Sequence, residues 1–428
     1  MKSWCVSVLK STALSLLGLS AAMSANAVES NVPESKFGHF DHVFFIIMEN
    51  QLDTFVLSNP NAPFINAYAQ SVNQATNYFA VGHPSAPNYL EIVGGSNFGL
   101  SGDYWPNWPT IGCVDNEPSS GCSHPFTPIS PASAAGATDN PVVATVATAA
   151  NASTQCNGQI TITTTGAQNN CALYSYSAAY FTPKSIADQL VSKGLTWKSY
   201  QESLPAIAPG ASGVNYSDGE FSNLSTSPFA TTPVNAIQKL YAVKHNPFAY
   251  FLNIETGASH DLSLDRIQDF DGPHGLWADL QHPERAPNFA FIVPNQCHDM
   301  HGSVSGGPAI CGSNTESGAE GALLMAEGDA EVAKIVTGIK NSPVWSHGRN
   351  VIIVTWDEND YSNAANQVVF LTETNYAPNG VKSSTAYDHY SLLRTLEAGF
   401  GLPCLNHACD PTSVVMNELF GAPLRSRP

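Results

Sequence analysis

Two uninterrupted apolar runs set the limits on this fold: "DHVFFIIM" (41–48), which closes on Glu49-Asn50, and "VIIVTW" (351–356), which closes on Asp357-Glu358. A strand with one wet face alternates polar and apolar residues. An unbroken run must instead be covered on both faces, as in the central strands of a parallel sheet. "FAYFLNI" (248–254) and "FAFIVP" (289–294) have the same character, and helical patterns occupy 184–193, 233–243, 318–340 and 388–399. Strands alternating with helices predict the α/β class, with three α/β/α layers around a mostly parallel sheet.

Ligands of such sheets bind beyond the carboxyl ends of the strands. Polar clusters follow three of the strands directly: Glu49-Asn50, then Asn295 with His298-Asp299-Met300-His301, then Asp357-Glu358. They are expected to converge on one rim. A second signal is "VGHPSAPNYLEIVGG" (81–95), where Pro84 and Pro87 stiffen the chain around Ser85 ahead of a helical stretch. By itself such a serine reads as a helix cap. Beside a divalent ion the same hydroxyl becomes a nucleophile.

Residues 1–27 read as an export leader, with Lys2 and Lys10 around a short apolar run and a small-x-small site at Ala25-Asn26-Ala27. Residues 28–428 are then one domain, in which the Ser/Thr-rich stretch 100–175 is an irregular, disulfide-tied cap. No later segment reaches the roughly 20 apolar residues of a membrane helix, which predicts no stable membrane anchor. Beyond the leader lie eight cysteines, whose sequence-near pairing is 113–122, 156–171, 297–311 and 404–409. An even number fits disulfides in an exported chain, periplasmic or secreted. Without the leader, 15 basic face 35 acidic side chains, a field that repels nucleic acid.

Glu49, Asn50, Asp357 and Glu358, with the Ser85 hydroxyl, form an oxygen-rich ligand set for a divalent metal such as Mg, Mn, Ca, Fe or Zn. His83, His301 and His389 are candidates for the phosphoryl oxygens and for protonating a leaving alkoxide. His298 and Asp299 are further candidates for the substrate. Alternatively, Asp299, His301 and His389 hold a second ion. A serine-hydrolase triad is the competing reading, but the G-x-S-x-G elbow is missing around Ser85.

"IIMENQLDTF", "FAVGHPSAPNYLEIVGG", "SIADQLVSKGLTWKSYQESLP", "YAVKHNPFAYF", "FIVPNQCHDMHG", "VIIVTWDEND" and "YDHYSLLRTLEAGFGLP" together resemble the successive motifs of the bacterial and fungal phosphoesterase family. That family holds acid phosphatases and nonspecific phospholipases C within the alkaline phosphatase-like superfamily. The resemblance runs from about residue 40 to 420 and implies hydrolysis of phosphate esters through a phosphoserine. It assigns Ser85 as nucleophile, Glu49, Asn50, Asp357 and Glu358 as metal ligands, His301 and His389 near the phosphate, and Asn88 to the nucleophile loop. One departure is Asn359-Asp360, where many relatives carry glycines. The other is that the motifs end close to residue 420, whereas phospholipase C relatives extend further. The implied activity is an exported, metal-dependent acid phosphatase acting on small monoesters; the alternative is a phospholipase C.

Overall fold

The computed structural model describes residues 31–98, 100, 103, 143–146, 178–204, 240–255, 257–302, 311 and 318–421. The expected leader, most of 100–175 and the pairs 113–122 and 156–171 lie outside them. The pairs Cys297–Cys311 and Cys404–Cys409 are bridged as expected.

Eight strands build one sheet: β1 (His42–Met48), β2 (Asn73–Ala75), β3 (Trp197–Gln201), β4 (Ile267–Gln268), β5 (Phe289–Val293), β6 (Asn350–Trp356), β7 (Phe370–Thr374) and β8 (Lys382–Ser383). Their order is β8-β2-β7-β6-β1-β5-β3-β4. The pairs β6-β1, β1-β5, β5-β3 and β3-β4 are parallel, and only β7 runs against its neighbours. The α/β reading with a mostly parallel sheet therefore holds. Every residue of β5 and β6 is buried, as unbroken apolar runs demand.

The run 248–254 is not a strand. Pro247–Tyr250 is a 3₁₀ turn and Leu252–Glu255 a helical turn, because Pro247 has a fixed φ and no N–H to give a ladder. Phe248, Ala249, Tyr250, Phe251 and Ile254 are buried all the same, and burial alone does not separate helix from strand. The strand in that part of the sheet is β3. Its Lys198, Ser199 and Gln201 are buried polar residues that break the apolar pattern.

The main helices are α1 (Pro63–Ser71), α2 (Ser85–Gly94), α3 (Ile186–Ser192), α4 (Ala319–Lys340) and α5 (His389–Phe400). Three of these match the patterns at 184–193, 318–340 and 388–399. Of the pattern at 233–243 only the end is described, and Val243–His245 is a 3₁₀ turn. Sequence chemistry sets the ends. Ser185 and Asp188 make a capping box for α3, and Asp388 caps α5 by accepting from Ser391 N at 2.8 Å. Gly95 and Gly401 end α2 and α5 in the left-handed region, at φ 70° and 64°. In α4, Gly328 lets the helix close on Met300, since a Cβ there would lie 2.4 Å from Met300 Cγ. That contact braces the loop carrying Asp299 and His301.

Candidate active site

The register Met48↔Trp356 brings the ends of β1 and β6 level, so the pairs that follow them emerge side by side. Asp357 N donates to Met48 O (3.0 Å) and Asn50 N to Asp357 Oδ1 (3.2 Å), with Asn50 turned into the left-handed region at φ 49°. From the strand on the other side of β1, the loop after β5 closes in: Glu49 N donates to Asp299 O at 2.8 Å. Three adjacent parallel strands thus deliver their polar ends to one rim.

Ser85 comes to that rim at the first turn of α2, where its side chain makes no cap. Asp103 does that work: its Oδ1 accepts from Ala86 N at 2.9 Å. Ser85 Oγ instead lies 3.0 Å from Glu49 Oε2 and 3.2 Å from Glu358 Oε1. A hydroxyl has one proton, so it cannot satisfy both carboxylates. Asn88, one turn on, shapes the loop before Ser85. Its Oδ1 accepts from Val81 N and Gly82 N, and its Nδ2 donates to Gly82 O, Pro84 O and Glu358 Oε2.

The site contains more buried anionic oxygen than its hydrogen bonds satisfy. Glu49, Asp299, Asp357 and Glu358 are each at most 1 % exposed. Burial lifts the Glu49 carboxyl to about 7 despite the opposing charge of Lys244. Asp299, Asp357 and Glu358 are pushed well up by burial first, and then by the charge of Glu49 on Asp299 and Asp357 and of Asp103 and Glu49 on Glu358. Glu49 Oε1, Asp299 Oδ2, Asp357 Oδ2 and His245 Nε2 are buried without hydrogen-bond partners. The Asn50 amide oxygen faces only acceptors, the Glu358 and Glu49 oxygens 3.1 and 3.2 Å from its position. Either that amide turns its nitrogen to them or a cation lies among the oxygens. Orphaned oxygens beside one orphaned imidazole nitrogen are the donor set of a divalent ion.

His245 is the residue that sequence reasoning missed. It lies within "YAVKHNPFAYF", a motif without a strand-end acid to mark it. Its Nε2 is 3.1 Å from Glu49 Oε1 and its Nδ1 3.3 Å from Asp299 Oδ2, while Tyr89 stacks on the ring at 5.3 Å and 9°. Ligand atoms of Glu49, His245 and His301 all lie within 4.8 Å of one another. Glu49 thus turns one oxygen to the Ser85 set and the other to these imidazoles.

Lys244, also unforeseen, donates to Asp103 Oδ2 at 3.0 Å and lies 3.2 Å from His301 Nε2. Lysine has no acceptor, so His301 Nε2 carries the lone pair and Nδ1–H donates to Gly302 O. Burial, then the Lys244 charge, lowers His301 to about 3, which keeps it a neutral imidazole. His83 is lowered to about 4 by burial and binds Glu358 Oε2 through Nδ1.

Two predicted residues face elsewhere. His389 donates from Nε2 to the Asp357 carbonyl (2.7 Å) and accepts at Nδ1 from Tyr78 OH (2.9 Å), so both ring nitrogens are committed to protein partners. His298 turns to Glu202, 2.8 Å from both carboxylate oxygens, and to Glu331 at 3.9 Å. It joins a separate Glu202–His298–Glu331 cluster.

The sequence profile of the Phosphoesterase family matches residues 47–403. A phosphatidylinositol-3-phosphatase of Mycobacterium tuberculosis (strain ATCC 25618 / H37Rv) is 24% identical, over 93% of this chain and 91% of its own length. A probable acid phosphatase of Kluyveromyces lactis is 23% identical over 91% of this chain, and an acid phosphatase of Aspergillus fumigatus 23% over 82%. The chain spans 65% and 57% of those two relatives. Among solved structures, a protein in the alkaline phosphatase superfamily from Vibrio parahaemolyticus is 12% identical, covering 89% of this chain and 72% of that one, with TM-score 0.43. With five-sixths of its length inside the family profile, this chain belongs to the Phosphoesterase family and is a phosphoric ester hydrolase.

Proposed function

We propose that this chain is an exported, metal-dependent acid phosphatase that hydrolyses small phosphate monoesters through a phosphoserine at Ser85. One observation carries the reading: a buried hydroxyl sits between two carboxylates it cannot both satisfy, at the N-terminus of a ten-residue helix. Glu49, Asn50, Asp357 and Glu358, with Ser85 Oγ, are the residues that would hold a divalent cation there. Such an ion supplies the charge that lowers the hydroxyl's pKa and balances the phosphoryl oxygens.

The chain's own groups do the rest. Glu49 Oε2 and Glu358 Oε1 are the acceptors toward which Ser85 Oγ releases its proton. Asn88 and Asp103 hold the helix start so that Oγ keeps that direction. The Oγ–P bond forms as the ester P–O bond breaks, and the alcohol leaves with the bonding pair and takes up a proton. Water then cleaves the phosphoserine. Lys244 stays charged, its pKa raised because the attraction of Asp103 and Glu49 outweighs burial. Its ammonium is the donor for phosphoryl oxygens, while His301, with its one N–H on Gly302 O, and His245 offer lone pairs at Nε2.

The names of the relatives favour monoesters over the phospholipase C alternative, since all three are phosphatases. Export is supported by the leader-like pattern of residues 1–27 and by the two disulfides, which suit an oxidising compartment. No helix among the described residues is long and apolar enough to cross a membrane. The test is turnover of p-nitrophenyl phosphate by wild type and Ser85→Ala, with release of phosphocholine from phosphatidylcholine assayed alongside. A loss of about 10⁴-fold or more with unchanged circular dichroism is expected. Retained activity in the variant removes Ser85 as nucleophile, and preferential headgroup release selects the phospholipase.

A further inference from the structure

We infer that Tyr361 is the platform against which the leaving group of the ester rests, and that it tunes this chain toward flat, aromatic alcohols over small alkyl ones. The inference deepens the monoesterase reading above and rests on it. Contacts run outward from the nucleophile in one unbroken series. Ser85 Oγ meets Glu358, Glu358 Oε2 meets His83 Nδ1, and the His83 ring is stacked on Tyr361 with centroids 3.8 Å apart at 19°. Exposure along that series rises from 1 % at Ser85 and Glu358 to 8 % at His83 and 61 % at Tyr361. An ester whose phosphorus reaches Ser85 leaves the rest of itself toward solvent, and along this series the solvent end is the tyrosine ring.

The ring is held there by the fold. Tyr361 is a bulky residue in the left-handed region, at φ 65°, a conformation that persists only where the surroundings enforce it. Asn359 and Asn366 enforce it. Asn359 Oδ1 accepts from Tyr361 N at 2.8 Å, its own N–H donates to Asn366 Oδ1 at 2.7 Å, and Asn366 Nδ2 donates to Gly82 O at 2.8 Å. The loop is therefore tied to the segment that carries Ser85. Among the described residues the other exposed large apolar side chains, Val32, Leu323 and Val414, are 38–45 % exposed and aliphatic. A preplaced aromatic face with one side on His83 and the other in water is a stacking surface for a second ring.

The experiment compares kcat/KM for phenyl phosphate and glycerol 2-phosphate in the metal-loaded, full-length enzyme as wild type, Tyr361→Phe and Tyr361→Ala, with inhibition by inorganic phosphate as the control. Tyr361→Ala is expected to lower the phenyl-to-glycerol preference by about three- to tenfold, the range measured for aromatic pairs. Tyr361→Phe keeps the preference, and inorganic phosphate inhibits all three alike. An equal loss on both substrates, or none on either, overturns the platform while leaving the monoesterase reading intact. A metal-loaded wild type inactive on both esters overturns the two together.

Discussion

Glu49 Oε1 and His245 Nε2 lie 3.1 Å apart, fully buried, and neither has a hydrogen-bond partner. A carboxylate and a neutral imidazole so close normally share a proton. Burial, the Lys244 charge and His301 hold His245 well below its ordinary pKa, so the imidazole is free to act as a ligand. Prolonged chelation should therefore abolish turnover and lower the thermal midpoint together. At free cation a hundredfold above its Kd, a bound ion would stabilise the fold by about 2.7 kcal/mol. Glu49→Gln should show little of this metal-dependent rise, and elemental analysis should find it depleted. A variant that keeps full metal content places the ion elsewhere.

Asn88 satisfies two backbone donors, Val81 N and Gly82 N, inside the protein. Asn88→Ala leaves both unpaired, at a cost of about 1–3 kcal/mol each before relaxation. The urea midpoint should fall and kcat should fall with it, because the same loop aims Ser85. Asn88→Asp keeps the acceptor while losing the donors to Gly82 O and Pro84 O, and it places a charge beside Glu358. Of the two variants it should have the lower kcat. A drop in stability with wild-type kcat would separate the loop from the chemistry.

His389 holds the carbonyl of Asp357 through Nε2 and is fixed by Tyr78 through Nδ1, a positioning role. Burial lowers it to about 4, so it has no spare proton at neutral pH. Tyr78→Phe and His389→Gln should reduce kcat by about 10–100-fold, as losses of groups that orient ligands do. The reduction should be the same for p-nitrophenyl phosphate and for an alkyl phosphate. An acid that protonates the leaving alcohol behaves otherwise: its loss spares the ester whose alcohol is already acidic. A markedly smaller loss with p-nitrophenyl phosphate would return His389 to acid catalysis.

The parts of the site legible in the sequence were those at the ends of apolar strands. Glu49-Asn50 and Asp357-Glu358 could be read because a polar pair stops an unbroken hydrophobic run, and the rim rule then brings them together. Ser85 stood out through its two prolines, and the structure releases it from capping because Asp103 takes that task. His245 and Lys244 gave no such signal. They sit on a 3₁₀ turn whose position depends on the tertiary fold and follows from no local pattern. His298 shows the reverse error. Beside Asp299 it looked like part of the same cluster, yet the turn after β5 sends His301 to Lys244 and His298 to Glu202. In the sheet, 248–254 misled through apolar burial without strand geometry, and β3 was hidden by Lys198, whose charge is met inside by Asp279.

Asp269 offers a pH test away from the chemistry. Its Oδ1 accepts from Phe270 N at 2.6 Å and Ser203 N at 3.2 Å. Burial raises its carboxyl from 3.8 to about 6; the Phe270 N–H pulls the other way, and Asp271 and Glu202 add to the rise. An acid raised on folding holds its proton longer in the native chain than in the unfolded one. Stability from this group is thus complete below about pH 4, falls as pH climbs from about 4 to 6, and is lost above. Asn at this position keeps an acceptor for both N–H groups and cannot ionise. Asp269→Asn should therefore match wild type near pH 4 and exceed it at pH 7, by about 1–2 kcal/mol after allowance for partial exposure, read as the difference in urea midpoints. An equal difference at the two pH values would show that Asp269 titrates as it does in the unfolded chain.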